Sequence, residues 1–237
     1  VAYDGADFLG FQWQSRGRTV QGVLEGVLAQ VTGLAGRVVG SGRTDTGVHA
    51  RGQVIGFHTQ WRHPLPDLER ALNAVLPMDV ALRELQEAAP DWHPRFSARR
   101  RHYRYSVLNQ ALRSPLDRRY AHLVTAPLDL APLQAASEML VGEHDFASFG
   151  RPTQGENTVR YVFSARWQQD GACFAFDVVG NAFLRSMMRS LAGSLLQVGT
   201  GAWPVERIGE VLAARDRAQA AGPAPACGLC LMSVEYS

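Results

Sequence analysis

Between Val20 and Val31 the apolar residues Val20, Val23, Leu24, Val27, Leu28 and Val31 recur three and four positions apart, the spacing of one helical face. Thr19 before the run suits an N-cap and Gly33 after it suits a stop, so the pattern predicts an amphipathic helix. Leu65, Leu68, Ala71, Leu72, Val75 and Leu76 predict a second helix, ended by Pro77. Between the two helices, short apolar segments at 37–39 and 53–57 read as paired strands. Val1-Ala2-Tyr3-Asp4 reads as the end of a strand that is expected to start further upstream. With a strand near 79–86, this part of the chain has the order β-α-β-β-α-β, a split βαβ pattern with two helices over one sheet face.

A second stretch repeats that order in pattern but not in residues. Tyr103, Tyr105 and Val107 alternate with Arg104 and Ser106, as in a half-buried strand. Leu133, Ala136, Met139 and Leu140 predict a helix, and strands near 159–168 and 172–180 meet at the hairpin signal Gln169-Asp170-Gly171. A long apolar helix is expected over 182–198, ending at Gly199, then a short helix from Pro204 and a final strand through Leu229, Leu231 and Val234. The expected class is α+β, with two split βαβ (ferredoxin-like) units, residues 1–92 and 93–237, and a central cleft between their sheets.

Composition narrows the chemistry. With 237 residues and 46% apolar content the chain can bury real cores. It contains no run of about 18 apolar residues, so no membrane span is expected, and without a charged-then-apolar leader the cytoplasm is the expected compartment. Cys173, Cys227 and Cys230 are too few for a disulfide framework. All 24 basic residues are Arg, which removes lysine Schiff-base and lysine general-base chemistry. Eight of them fall between Arg95 and Arg119 against the single acid Asp117, interleaved with Phe96, His102, Tyr103 and Tyr105. Guanidinium forks bind phosphate and aromatic rings stack on bases, so this block points to RNA, the alternative being a solvated basic face.

The run Gly40-Ser41-Gly42-Arg43-Thr44-Asp45-Thr46-Gly47-Val48-His49-Ala50 carries one carboxylate among glycines. Two readings are open: a polar β-turn between strands, with Asp45 in an Asx-turn, or a loop that presents Asp45 as a nucleophile with Arg43 beside it. Rival chemistries lack parts. No Gly-Lys-Ser/Thr ends the loop, as a phosphate loop requires. Cys227-Gly228-Leu229-Cys230 has half the ligands of a zinc site, and no His-x-Glu of a zinc deaminase occurs. A two-carboxylate hydrolase needs a second acid, and since none lies between Glu25 and Asp67 except Asp45 itself, that rival stays open only with an acid brought from elsewhere in the chain. His49 is expected to serve structure rather than to act as a base.

With those residues set out, the chain resembles the tRNA pseudouridine synthase A family over its full length. Gly42-Arg43-Thr44-Asp45-Thr46-Gly47-Val48-His49-Ala50 carries the resemblance most strongly. It is joined by Asp4-Gly5, Phe8, Gly10-Phe11-Gln12, Thr19-Val20-Gln21, Arg99-Arg100-Arg101-His102-Tyr103-Arg104-Tyr105 and Gly142-Glu143-His144-Asp145-Phe146-Ala147-Ser148-Phe149. Asn181-Ala182-Phe183-Leu184-Arg185-Ser186-Met187-Met188-Arg189 and Ala224-Pro225-Ala226-Cys227-Gly228-Leu229-Cys230-Leu231 complete it. His102, Cys227 and Cys230 are small departures from the family's pattern.

The resemblance implies a pseudouridine synthase fold and isomerisation of uridine to pseudouridine at tRNA positions 38–40, in the anticodon stem-loop, without metal or organic cofactor. It implies Asp45 as the nucleophile, Tyr103 stacking on the flipped uracil, and Arg43 helping to extrude the base. It further implies Arg189 paired with Asp45, Leu229 lining an apolar wall, and a homodimer in which one tRNA touches both subunits. The alternative of a different class is a non-catalytic RNA-binding module, which needs the aromatic residues but not Asp45.

Overall fold

The computed structural model describes residues 1–236. The chain forms two compact units, one of Val1–Arg99 with the chain from Leu231 onward, the other of Arg100–Cys230.

In the first unit β1 (Ala2–Tyr3) leads to α1 (Val20–Thr32), where Thr19 accepts from Gly22 N at 3.2 Å and Gly33 closes the helix at φ 73°. That is the cap and stop the sequence carries. β2 (Val39–Gly40), β3 (His49–Ala50), β4 (Ile55–Gly56), α2 (Leu65–Val75) and β5 (Val80–Ala81) follow. Leu24, Val27 and Leu28 of α1 and Leu72 of α2 line one apolar region with Ile55, Phe57, Leu76 and Leu82. Each such leucine, when fully buried, is worth about 1.5–3 kcal/mol relative to exposure.

The two segments expected to pair do pair, antiparallel, Val39 opposite Gly56 and Gly40 opposite Ile55. They form a two-stranded sheet of their own. The unit's main sheet instead takes β3, with β1 antiparallel to it (Tyr3 opposite Ala50) and to β5 (Tyr3 opposite Val80). Gly5 makes this possible, because a Cβ there would lie 1.9 Å from Val48 O. The chain from Leu231 returns to this unit, where Arg51 N donates to Leu231 O and Arg99 N to Glu235 O, both at 2.8 Å.

The second unit contains β6 (Arg100–Asn109), β7 (His122–Val124), α3 (Leu130–Glu138), β8 (Gly142–Asp145), β9 (Val159–Asp170), β10 (Cys173–Gly180), α4 (Met187–Gly199) and α5 (Arg207–Ala214). β11 (Leu229–Glu235) begins here and crosses to the first unit at Leu231. β10 lies between β6 and β9, antiparallel to both, with the 169–171 turn closing the hairpin at Gly171, φ 56°. Tyr105, Phe176, Val178 and Trp167 fill the buried face, on which α3 and α4 pack. Trp167 stacks on Phe176 at 4.9 Å, and its Nε1 donates to Ser137 Oγ at 3.0 Å, which pins α3 to β9.

α4 starts at Met187, five residues later than the periodicity suggests. Residues 181–185 are spent on backbone pairing, Asn181 N with Tyr161 O at 2.9 Å and Arg185 N with Arg151 O at 2.9 Å. Ser186 then turns through a left-handed φ of 62°. β7 and β8 have no clear alternation in sequence, because their side chains are mostly half-buried.

On the open face of this sheet Asp177 receives Arg104 through two 2.9 Å bonds and contacts His102 Nε2 at 2.7 Å. Burial raises the Asp177 carboxyl pKa, but the His102 and Arg104 bonds outweigh it and hold the group below its usual 3.8. A folded pKa below the unfolded one gives stability that is complete above 3.8 and lost as pH falls through the folded value. The urea midpoint should therefore fall from about pH 4 downward. Asp177→Asn should lower the midpoint at neutral pH and flatten that acid limb; an unchanged limb would show that the cluster does not couple to folding.

Candidate active site

The Asp45 loop forms the turn that the sequence offered as one reading. Val48 N donates to Asp45 O at 3.1 Å, with Gly47 at φ 79° inside the turn. A residue with positive φ at the third position is what such a turn requires. Asp45 is half-buried, Arg43 and Thr46 are exposed, and Ser41, Thr44, Val48 and His49 are buried. The loop is thus anchored through Ser41, Thr44, Val48 and His49, with Arg43 and Thr46 exposed.

The anchor is polar. Gln53, at 0% exposure, accepts from Ser41 Oγ at 2.7 Å and donates through Nε2 to Gly42 O at 3.0 Å. Tyr3 Oη and Thr44 Oγ1 share a buried bond of 2.8 Å, and Gln53 Nε2 lies 3.5 Å from the same Tyr3 oxygen. Ser41 N donates to Val54 O at 2.8 Å. Buried amides persist where their hydrogen bonds are made, and here the bonds hold the backbone on the N-terminal side of Asp45.

A second grip comes from α1. Its first N–H groups donate to Gly10 O (from Val20, 3.2 Å) and Phe11 O (from Gln21, 2.9 Å), and Phe11 N donates onward to Thr44 O at 3.1 Å. Gly10 sits at φ 90°, and a Cβ there would come within 2.7 Å of Thr44 O, so no larger residue fits the approach. His49 Nδ1 lies 3.0 Å from Gly5 N and 3.1 Å from Asp4 Oδ1, which ties the far arm of the loop to the Asp4–Asp7 turn.

Of the other residues singled out in the sequence, Tyr103, Arg189 and Leu229 belong to the second unit. Tyr103 on β6 is buried and stands edge-on to Phe183 at 5.0 Å and 78°. Arg189, in the first turn of α4, donates from Nε to Ala224 O at 2.7 Å, and Ala224 N donates back to Arg189 O at 2.9 Å. This clasp holds the start of the helix to the segment before β11. Burial pushes the Tyr105 hydroxyl and the Cys227 thiol up, and the Arg189 charge pulls each the other way, so its guanidinium acts on this neighbourhood. Leu229, buried, opens β11.

Three arginines of the basic block have partners within the second unit. Arg104 is committed to Asp177, Arg101 donates to Asn181 O, and Arg100 lies over the Phe163 ring at 4.6 Å. Sequence reasoning passed over Gln53, Tyr3 and Thr44 as site residues and Phe183 as the partner of Tyr103. One signal was available: Gln53 is polar at the head of an otherwise apolar strand segment, where a polar residue needs a reason.

Comparison with known proteins bears on this arrangement. Residues 1–97 and 136–237 match the family described as tRNA pseudouridine synthase. The tRNA pseudouridine synthase A of Roseiflexus sp. (strain RS-1) is 46% identical over 242 residues, covering 100% of this chain and 88% of that protein. The protein of the same name from Citrifermentans bemidjiense is 43% identical, covering 100% of this chain and 95% of its own length. That from Halalkalibacterium halodurans is 42% identical over 97% of this chain and 88% of its own length.

Gln53→Ala should cost about 2–4 kcal/mol, since it leaves Ser41 Oγ and Gly42 O without their buried partners and opens a cavity. Ser41→Ala removes one bond and should cost about 1 kcal/mol. Urea titration of both variants measures the difference; equal small losses would mean that water replaces the amide freely.

Proposed function

This chain belongs to the tRNA pseudouridine synthase family, and on that premise we propose that it isomerises uridine to pseudouridine at positions 38–40 of the tRNA anticodon stem-loop, with Asp45 as nucleophile. The observation that carries the reading is the loop's single acid, on a backbone fixed before it by Gln53 and the Gly10-Phe11 segment and after it by His49. A carboxylate held in place loses little orientational freedom at the moment of reaction.

The reaction breaks the C1′–N1 bond, turns the uracil within the site, and joins C5 to C1′, with the C5 proton lost and N1 protonated. No electron leaves the substrate, so the reaction is an isomerisation with no net oxidation or reduction. Asp45 serves either by adding to the ribose or base or by assisting loss of the ribose 2′ proton.

Tyr103 offers a ring for the extruded uracil, and its edge contact with Phe183 supports a fixed stacking plane. Arg43, exposed two residues before Asp45, helps to extrude the base or takes its vacated place, since chemistry on a paired base requires extrusion. Arg189, its Nε fixed on Ala224, supplies an oriented cation for the substrate, and Leu229 an apolar wall. The working form is a cytoplasmic homodimer that needs no organic cofactor or metal, and residues 1–92 act as the domain carrying the catalytic loop.

Asp45→Asn should bind unmodified tRNA as the wild type does but lower product formation to below about a thousandth. A carbodiimide-dependent reverse-transcription stop reads both yield and position. Activity surviving in Asp45→Asn would overturn the nucleophile; a stop outside the anticodon arm would overturn the target position. Light scattering at micromolar concentration should give a dimer mass, and a monomer mass would overturn the homodimer.

A further inference from the structure

Arg151 and Arg185 face each other across an isolated antiparallel bridge. Arg185 N donates to Arg151 O at 2.9 Å and Arg151 N to Arg185 O at 3.4 Å. Residues that exchange both bonds stand directly opposite, about 5.5 Å apart at Cα, with side chains leaving the same face of the ladder. Both arginines are exposed. Among the described residues, neither guanidinium has a hydrogen-bond or ion-pair partner.

Like charges directly opposite in a bridge oppose its formation, so the fold must impose this pairing from elsewhere. It does so on both arms. Next to Arg151, a Cβ on Gly150 would lie 2.4 Å from Leu184 Cβ, while Gly150 N and Phe149 N both donate to Phe146 O, at 3.1 and 2.9 Å. Next to Arg185, Leu184 is buried, Met187 N donates to Leu184 O at 3.2 Å, and Ser186 holds a left-handed φ of 62°. Strained backbone of this kind recurs at ligand clamps. Arg101 anchors the start of the same segment through Asn181 O at 2.5 Å, which adds a third guanidinium to the local charge.

We propose that Arg151 and Arg185 form a clamp for a single phosphodiester of the RNA backbone, the anion supplying the charge that the bridge lacks. The site rests on the RNA-modifying reading above and lies outside the residues given roles in the chemistry. Two planar forks on one phosphate offer paired N–H donors to its two free oxygens, a geometry that a single flexible cation does not reproduce. The clamp reads phosphate position, not base identity.

Binding of an unmodified tRNA transcript by fluorescence anisotropy, repeated over a salt series, tests it with Arg151→Gln, Arg185→Gln, the double variant and Arg185→Glu in the full chain. Each single glutamine variant should weaken binding about three- to tenfold and reduce the log–log salt slope by about one unit. The double variant should be little worse than either single one, because both arginines serve the same phosphate. Arg185→Glu should raise the melting temperature by relieving the like-charge pair while weakening RNA binding, a split that a purely structural role does not produce. Independent, multiplying losses would overturn the shared clamp, as would unchanged affinity in all variants beside a wild type that binds. A wild type that does not bind tRNA would overturn the RNA reading itself.

Discussion

The carboxamide of Gln53 is the interaction on which the architecture of the first unit turns. It is fully buried, and its two ends face opposite demands, the oxygen taking the Ser41 hydroxyl and the nitrogen giving to the Gly42 carbonyl. No apolar side chain could satisfy both, and an ion would cost more to bury than the bonds return. The requirement explains why β2 and β4 stand apart as a small sheet: they bring Ser41 and Gln53 to the same end. It also leaves the neighbouring arm, β3, free to join the main sheet beside β1.

The same logic of satisfied burial governs the second unit. Its sheet has one face closed by α3 and α4 through Trp167, Phe176 and Tyr105, and an open face on which Asp177 gathers His102 and Arg104. A basic strand is thereby partly neutralised within its own sheet. The exposed pair Arg151 and Arg185 stands in contrast, since nothing among the described residues answers its charge. Where a fold neutralises some arginines and leaves others facing each other, the difference separates structural charge from charge held for a partner.

The Asp45 loop is held on both of its arms. The turn expected at Asp45 is present, with Gly47 in the conformation it requires. The helix N-terminus of α1 takes part in this without touching Asp45, by binding the carbonyls of Gly10 and Phe11 that in turn hold Thr44. Order passes from α1 to Thr44, the neighbour of Asp45, through three backbone bonds.

Much was legible in the sequence. The Thr19 cap, the Gly33 stop, the apolar faces of α1 and α2, the Asp-Gly hairpin and the alternation of β6 all follow from local rules, because caps, turns and amphipathic periods depend on residues within a few positions of each other. The lone acid among glycines was visible for the same reason, and the run of motifs placed the chain in its family. Other features belong to partners far apart in the chain. The late start of α4 depends on Arg151 pairing with Arg185, the poise of the Asp45 loop on Tyr3 and Gln53, and the sorting of the arginines on Asp177. Likewise the chain from Leu231 belongs with residues near Arg51 and Arg99. Hydrogen bonds between distant residues leave no period in a sequence; only the folded chain decided which buried polar groups would meet.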